Sequence, residues 1–159
     1  MAYFGLIYPH ISYGICVWGG CANHRLERVF RLQKKAVRII SKLKPRDSCR
    51  DAFRELGLLT LPCLYIFEVA VYCRYKCSLV QNGDIHSHYT RGRATLRVQH
   101  RTVAFEHLPS QFGIKVLNKL PESVKHAQNQ NQFKTRLKSL LVSNILYSVE
   151  EFMMSRWDS

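Results

Sequence analysis

Arg25 to Lys44 reads RLERVFRLQKKAVRIISKLK. Leu26, Val29, Phe30, Ala36, Val37, Ile40 and Leu43 recur at spacings of three and four, which makes one apolar stripe of an α-helix. Arg25, Arg28, Arg31, Lys34, Lys35, Arg38, Lys42 and Lys44 take most of the remaining circumference, with Glu27 the one acid among them. A solvated helix ordinarily interleaves both signs, because opposite charges four residues apart support it and like charges there oppose it. Arg31 with Lys35, and Lys34 with Arg38, are like pairs at that spacing. A polyanion lying along this face would relieve the repulsion. Arg28, Arg31, Lys34, Lys35, Arg38 and Lys42 are therefore candidate phosphate contacts. The competing reading is the ordinary solvated face of a basic protein.

A chain of 159 residues makes one domain or two small helical units, and with 47% hydrophobic residues it can bury a core. Lys and Arg number 24 against 11 acids, a net charge of +13 that calls for an anionic partner, nucleic acid or an acidic membrane surface. Cys16, Cys21, Cys49, Cys63, Cys73 and Cys77 follow no secretory signal, and several fall in apolar helical runs where a thiol packs as a small hydrophobe. The expectation is a reduced, intracellular protein of the cytoplasm or nucleus, not a secreted one. Residues 1–23 carry no charge and superficially resemble a signal anchor, but Pro9, His10, Asn23 and Gly19-Gly20 interrupt them. A buried helix is expected there rather than a membrane span.

Taken in order, AYFGLIYPHISYGICVW (residues 2–18) is apolar nearly all round, so burial on most sides is expected, with a kink at Pro9 and a stop at Gly19-Gly20. His10 in such a run reads as a core residue rather than a base. Pro45 ends the basic helix. Asp47 or Ser48 can cap a short helix over residues 49–56, closed by Gly57. Thr60 then caps a helix with Pro62 in its first turn, running to about Leu79 and forming the packing centre of the first half. Residues 84–110 read as loop with an extended piece at 94–98. Tyr89, Arg91 and Arg93 there suit phosphate contact beside base stacking, or simply a surface loop folded back on the helices. Further on, Ser110 caps a helix through Lys119, Pro121 opens a short turn, and HAQNQNQ (126–132) is a linker or cap. Residues 133–146 are amphipathic, and Ser148-Val149-Glu150-Glu151 is a capping box for a last short helix. The fold expected is mainly α without a large sheet. A small helical bundle over residues 1–83 is followed by a loop-rich, helical tail over 84–159.

Cys73 and Cys77, one helical turn apart, with His86 and His88 make a set that could hold zinc on paper. The spacing is unlike a zinc finger and thiols in an apolar helix are usually core, so zinc is disfavoured. Neither a nucleophile elbow nor a glycine-rich phosphate loop occurs in the sequence.

YPHISYGICVWGG, RVFRLQKKAVRII and RDSCRDAFRELGLLTLPCLYIFE together resemble the region just after the polymerase core of non-LTR retrotransposon (LINE, jockey-like) reverse transcriptases. HSHYTRGR resembles that family's His-x-Tyr-x-Thr-Arg element, FGIKVLNKLPESVK its Gly-x-x-x-x-Asn-x-Leu-Pro element, and YSVEEF its C-terminal ending. The pieces cover essentially the whole chain in family order. The resemblance implies a thumb-like part over residues 1–83 and a C-terminal tail after it, with template RNA and RNA–DNA duplex as partners beside the palm and fingers of the parent polymerase. It also implies that the catalytic Asp residues and their Mg2+ belong to a palm this sequence lacks. Asp47, Asp51, Asp84 and Asp158 sit in unrelated contexts and no adjacent Asp pair exists. The chain alone is expected to be inactive, as a truncated copy or a piece of a longer element. The alternative is a decayed copy, or a structural or interaction module, with no retained nucleic-acid role.

Overall fold

Apolar periodicity of about 3.6 becomes helix along most of the chain, and the computed structural model describes residues 2–85, 92–99, 102, 105 and 108–157. In order, α1 is Ala2–Leu6, α2 Tyr8–Ser12, α3 Ile15–Trp18, α4 Asn23–Ile40, α5 Arg50–Glu55 and α6 Leu61–Lys76. A 3-10 turn at Asn82–Asp84 precedes α7 Pro109–Lys119, α8 Glu122–Lys125, α9 Gln130–Ser143 and α10 Val149–Met154. The protein is mainly helical. Among the described residues the only extended pairing is an isolated antiparallel bridge, Gln81 to Leu96.

α6 is the centre of the molecule. Leu61, Cys63, Leu64, Tyr65, Ile66, Val69, Ala70, Val71 and Cys73 are all buried, which is more than one stripe of a helix and requires neighbours on several sides. α3, α4, α7, α9 and α10 supply them. Thr60 caps it as its sequence indicates, its Oγ1 accepting from the Cys63 N–H at 3.3 Å. It ends at Lys76, short of Leu79, because Cys77 turns to extended backbone. α7 approaches α6 most closely where Gly113 faces Cys73. A Cβ at 113 would lie 2.5 Å from that of Cys73.

α4 is shorter than its periodicity suggests. Lys42 has φ +54, and around it the Leu43 N–H donates to Arg38 O at 2.9 Å and the Lys42 N–H to Ile39 O at 3.3 Å. This is the paired bonding of a Schellman stop, with lysine where glycine fits best. Lys42 therefore turns the chain rather than extending the helical face, and Ile40, expected inside, is 40% exposed. Lys42→Gly is expected to stabilise the protein by about 1 kcal/mol, read as a rise of about 2–4 °C in melting temperature. Gly57, φ +63, closes α5 in the same way with a residue that costs nothing there.

Residues 2–18 depart from the expected single buried segment. Pro9 offers no N–H to continue α1, and Gly14, φ +61, turns the chain between α2 and α3. Each short helix buries one side, through Tyr3, Ile11 and Ile15, and leaves Leu6, Tyr13 and Val17 71–86% exposed. Among the described residues no helix is long and apolar enough to cross a membrane.

One hydrophobic cluster runs from Tyr3 to Phe152, drawing on residues before and after 83. Side chains stitch the two stretches together: Arg50 Nη1 donates to Ile145 O at 2.6 Å, Thr60 Oγ1 to Leu146 O at 2.6 Å and Arg74 Nη2 to Ala127 O at 2.9 Å. The Asn118 amide takes both backbone groups of Leu96, accepting its N–H and donating to its C=O, each at 2.8 Å, as a neighbouring strand would. Ser148 caps α10 by accepting from the Glu151 N–H at 3.1 Å, while Glu151 accepts from the N–H of Tyr147.

Glu68 sits half-buried on α6, and burial pushes its carboxyl above the usual range, with Lys134 pulling the other way. A carboxyl raised in the folded state costs stability as pH rises from its unfolded pKa through its folded one. Glu68→Gln is therefore expected to raise the melting temperature at pH 7, with the gain vanishing below about pH 4. A pH series of thermal melts on both proteins reads this directly.

Candidate nucleic-acid interface

The rotation of α4 about its axis decides which cations meet solvent. Phe30, Gln33 and Val37 are buried, and Gln33 sets the register. Its Nε2 donates to Tyr3 Oη at 2.8 Å and to Leu59 O at 2.9 Å, and its Oε1 accepts from the Leu61 N–H at 2.8 Å. One glutamine thus satisfies an orphan N–H at the start of α6 and ties α1, α4 and the 57–60 turn together. With that face inward, Arg28, Arg31 and Lys35 point to solvent.

The six helix candidates divide by what they touch. Arg28 and Lys35 are exposed, with no charged or hydrogen-bonding partner among the described residues. Arg31 meets Glu27 at 3.4 Å, but both side chains are well exposed and such pairs contribute little. Lys34 is half-buried, its Nζ 4.6 Å from the centre of the Phe30 ring and 5.3 Å from that of Tyr147. Arg38 donates from Nε to Asp47 O at 3.2 Å, fastening the turn after α4. Lys42 lies in that turn, exposed beside Lys44 and Arg46. The same solvent face carries Leu32 and Ile39, 68% and 69% exposed, so Arg28, Leu32, Lys35 and Ile39 form a mixed ridge at spacings of four, three and four.

Of the second candidate set, Tyr89 and Arg91 lie outside the described residues. Arg93 is exposed, its stem packs over Gly83, and its C=O accepts from the Gly83 N–H at 3.0 Å. Asn118 on Leu96 and Gln111 on the Gln99 N–H fasten this segment to α7, while α4 packs on α5 and α6.

Sequence reading passed over Tyr147, Arg50, Arg54 and Arg156. Tyr147 is an aromatic post. Phe30 meets it edge-on at 5.2 Å, and the cations of Lys34 and Arg50 lie 5.3 and 4.3 Å from its centre. Positive charge therefore continues from α4 across Tyr147 to α5. The only sequence signal was the aromatic in YSVEEF, whose partners lie about a hundred residues upstream.

A cleft of about 110 Å3 between α3, α4, α6 and the start of α10 is mostly apolar and has Glu27 and Glu150 among its lining, which suits no phosphate. Of the paper zinc set, Cys73 is buried with Sγ 3.4 Å from Ser110 O, and burial pushes its thiol up to about 12, opposite to what a thiolate ligand needs. Cys77 is half-buried, and His86 and His88 lie outside the described residues. No family model matches the chain, and neither a curated protein nor a solved structure matches it.

Proposed function

We propose that the chain is a basic helical module that lays the outer face of α4 along the phosphate backbone of template RNA or RNA–DNA duplex, as the thumb-like and tail portion of a non-LTR retrotransposon reverse transcriptase. The observation that carries the reading is the Gln33 anchor. It fixes α4 so that Arg28, Arg31 and Lys35 stand together in solvent with one exposed acid against them. A rigid row of cations opposed, among the described residues, by Glu27 alone is what backbone contact needs. The family reading rests on the ordered sequence elements. The Gly113 and Asn118 contacts give two of those residues a physical reason, a close helix approach and a backbone clasp. Nucleotidyl transfer would require a palm with its metal-binding carboxylates, and the isolated chain is expected to add no nucleotide to a primer in Mg2+. Exposed Leu6, Tyr13 and Val17, with Phe4, would be the surface offered to that palm. Tyr3 is not part of it, since it is buried against Gln33.

The mixed ridge of Leu32 and Ile39 favours a second reading, an interaction module whose basic face packs on an acidic protein helix. The triple substitution Arg28→Gln, Arg31→Gln, Lys35→Gln separates the two. Under the nucleic-acid reading it weakens binding to every RNA–DNA duplex about tenfold or more near 0.1 M salt, whatever the sequence. Fluorescence anisotropy against several unrelated duplexes measures it. Double replacement of Leu32 and Ile39 by serine leaves duplex binding nearly unchanged under the same reading.

A further inference from the structure

A second basic surface lies where the two stretches of the chain meet. Between α5, the end of α9 and the segment after α10 is an open cleft of about 410 Å3, lined by Arg50, Arg54, Ser143, Ser155, Arg156 and Trp157 among others. Arg50 belongs to the framework: besides Ile145 O it meets Glu151 Oε1 at 3.3 Å, and it covers Tyr147. Arg54, four residues on, shares its side of α5 and among the described residues pairs only with exposed Asp51 at 3.0 Å. Arg156 is exposed and has no charged or hydrogen-bonding partner among the described residues. Of the carboxylates among the described residues, Glu151 is engaged with Arg50 and the Tyr147 N–H, and Asp51 with Arg54.

The other walls suit a nucleotide rather than an inorganic anion alone. Ser143 Oγ donates to Ser139 O at 2.9 Å and Ser155 Oγ to Glu151 O at 2.7 Å, so both hydroxyls keep lone pairs to accept from a ligand. Trp157 is half-buried on Phe152, ring centres 5.4 Å apart, and its indole N–H is buried without a hydrogen-bond partner among the described residues. Guanidiniums beside an indole match the alternation of phosphate and base along a single strand, where bases stack on aromatic faces and arginines follow the backbone.

We infer that this cleft binds single-stranded nucleic acid, with Arg54 and Arg156 on phosphates and Trp157 beside a base. The inference rests on the nucleic-acid reading of the chain but uses residues apart from the α4 face. Its test compares the parent, Arg54→Gln/Arg156→Gln, and the α4 triple variant, each titrated with labelled oligothymidine and with blunt RNA–DNA duplex. Both cleft arginines are exposed, so folding survives their loss, and circular dichroism checks it. Arg50 is left in place because it ties Ile145.

The cleft variant is expected to bind oligothymidine about tenfold more weakly, with its salt slope reduced by about 1.4 for two lost phosphate contacts, while duplex binding changes less than about threefold. Oligothymidine binding equal to that of the parent overturns the inference, and so does a parent that does not bind oligothymidine at all. Failure of the α4 reading is a different result: unchanged duplex binding in the α4 triple variant, beside the loss of oligothymidine binding in the cleft variant.

Discussion

Replacing Gln33 by leucine is expected to destabilise the protein by about 3–5 kcal/mol, lowering the melting temperature by about 10 °C or more. Leucine fills most of the volume but makes none of the three hydrogen bonds. The Leu61 N–H and the Leu59 C=O are then left without this partner, and each such buried group costs about 1–3 kcal/mol. Tyr3 also loses the bond that offsets part of the burial raising its hydroxyl pKa. Gln33→Glu keeps an acceptor for Leu61 but puts a buried carboxylate where Leu59 O needs a donor, so it too is expected to fail near neutral pH. Urea unfolding of the two variants measures both. A Gln33→Leu protein within about 0.5 kcal/mol of the parent would mean that this network does not fix α4.

Gly113→Val carries the second largest expected effect, a loss of about 3 kcal/mol from forcing α7 away from α6. The new Cβ would meet Cys73 Cβ at 2.5 Å, Cys73 Sγ at 3.0 Å and Val69 Cγ1 at 3.1 Å. Two of these belong to one side chain, which suggests a rescue that should fail. Cys73→Ala removes Sγ but leaves the nearest atom, Cβ, where it is. The double variant is therefore expected to stay close to the stability of Gly113→Val alone. Full recovery in the double variant would place the conflict at sulfur and contradict the backbone approach described for α6 and α7. The stacked pair Tyr65 and Phe112, ring centres 5.1 Å apart, lies at the same helix contact and leaves little room to slide.

The helices that could be read from sequence were those whose signals are local. Thr60 and Pro62 mark the start of α6, Gly57 the end of α5 and Ser148 the start of α10, because caps act on backbone groups three or four residues away. The stop of α4 at Ile40 was less legible, since lysine at a left-handed position carries no such mark. Gln33 was invisible for a different reason. A polar residue interrupts an apolar stripe, yet here it is the centre of the buried face because its partners come from residues 3, 59 and 61. At the candidate interface, the run of cations is plain in the sequence, but which of them are occupied is not. Lys34 on Phe30 and Tyr147, and Arg38 on Asp47 O, are tertiary contacts that no spacing reveals. Arg50, Arg54 and Arg156 share a cleft although about a hundred residues separate the first two from the third.

Salt dependence of binding to an RNA–DNA duplex tests the α4 reading most directly. If about five phosphates are neutralised, log K against log salt concentration falls with a slope near −4 to −5 for the parent. For Arg28→Gln/Arg31→Gln/Lys35→Gln the slope shrinks by up to about 3, with the helical spectrum unchanged, because these side chains point away from the core. A folded triple variant that binds as tightly as the parent, on the same slope, would contradict the account and leave α4 with an ordinary solvated face.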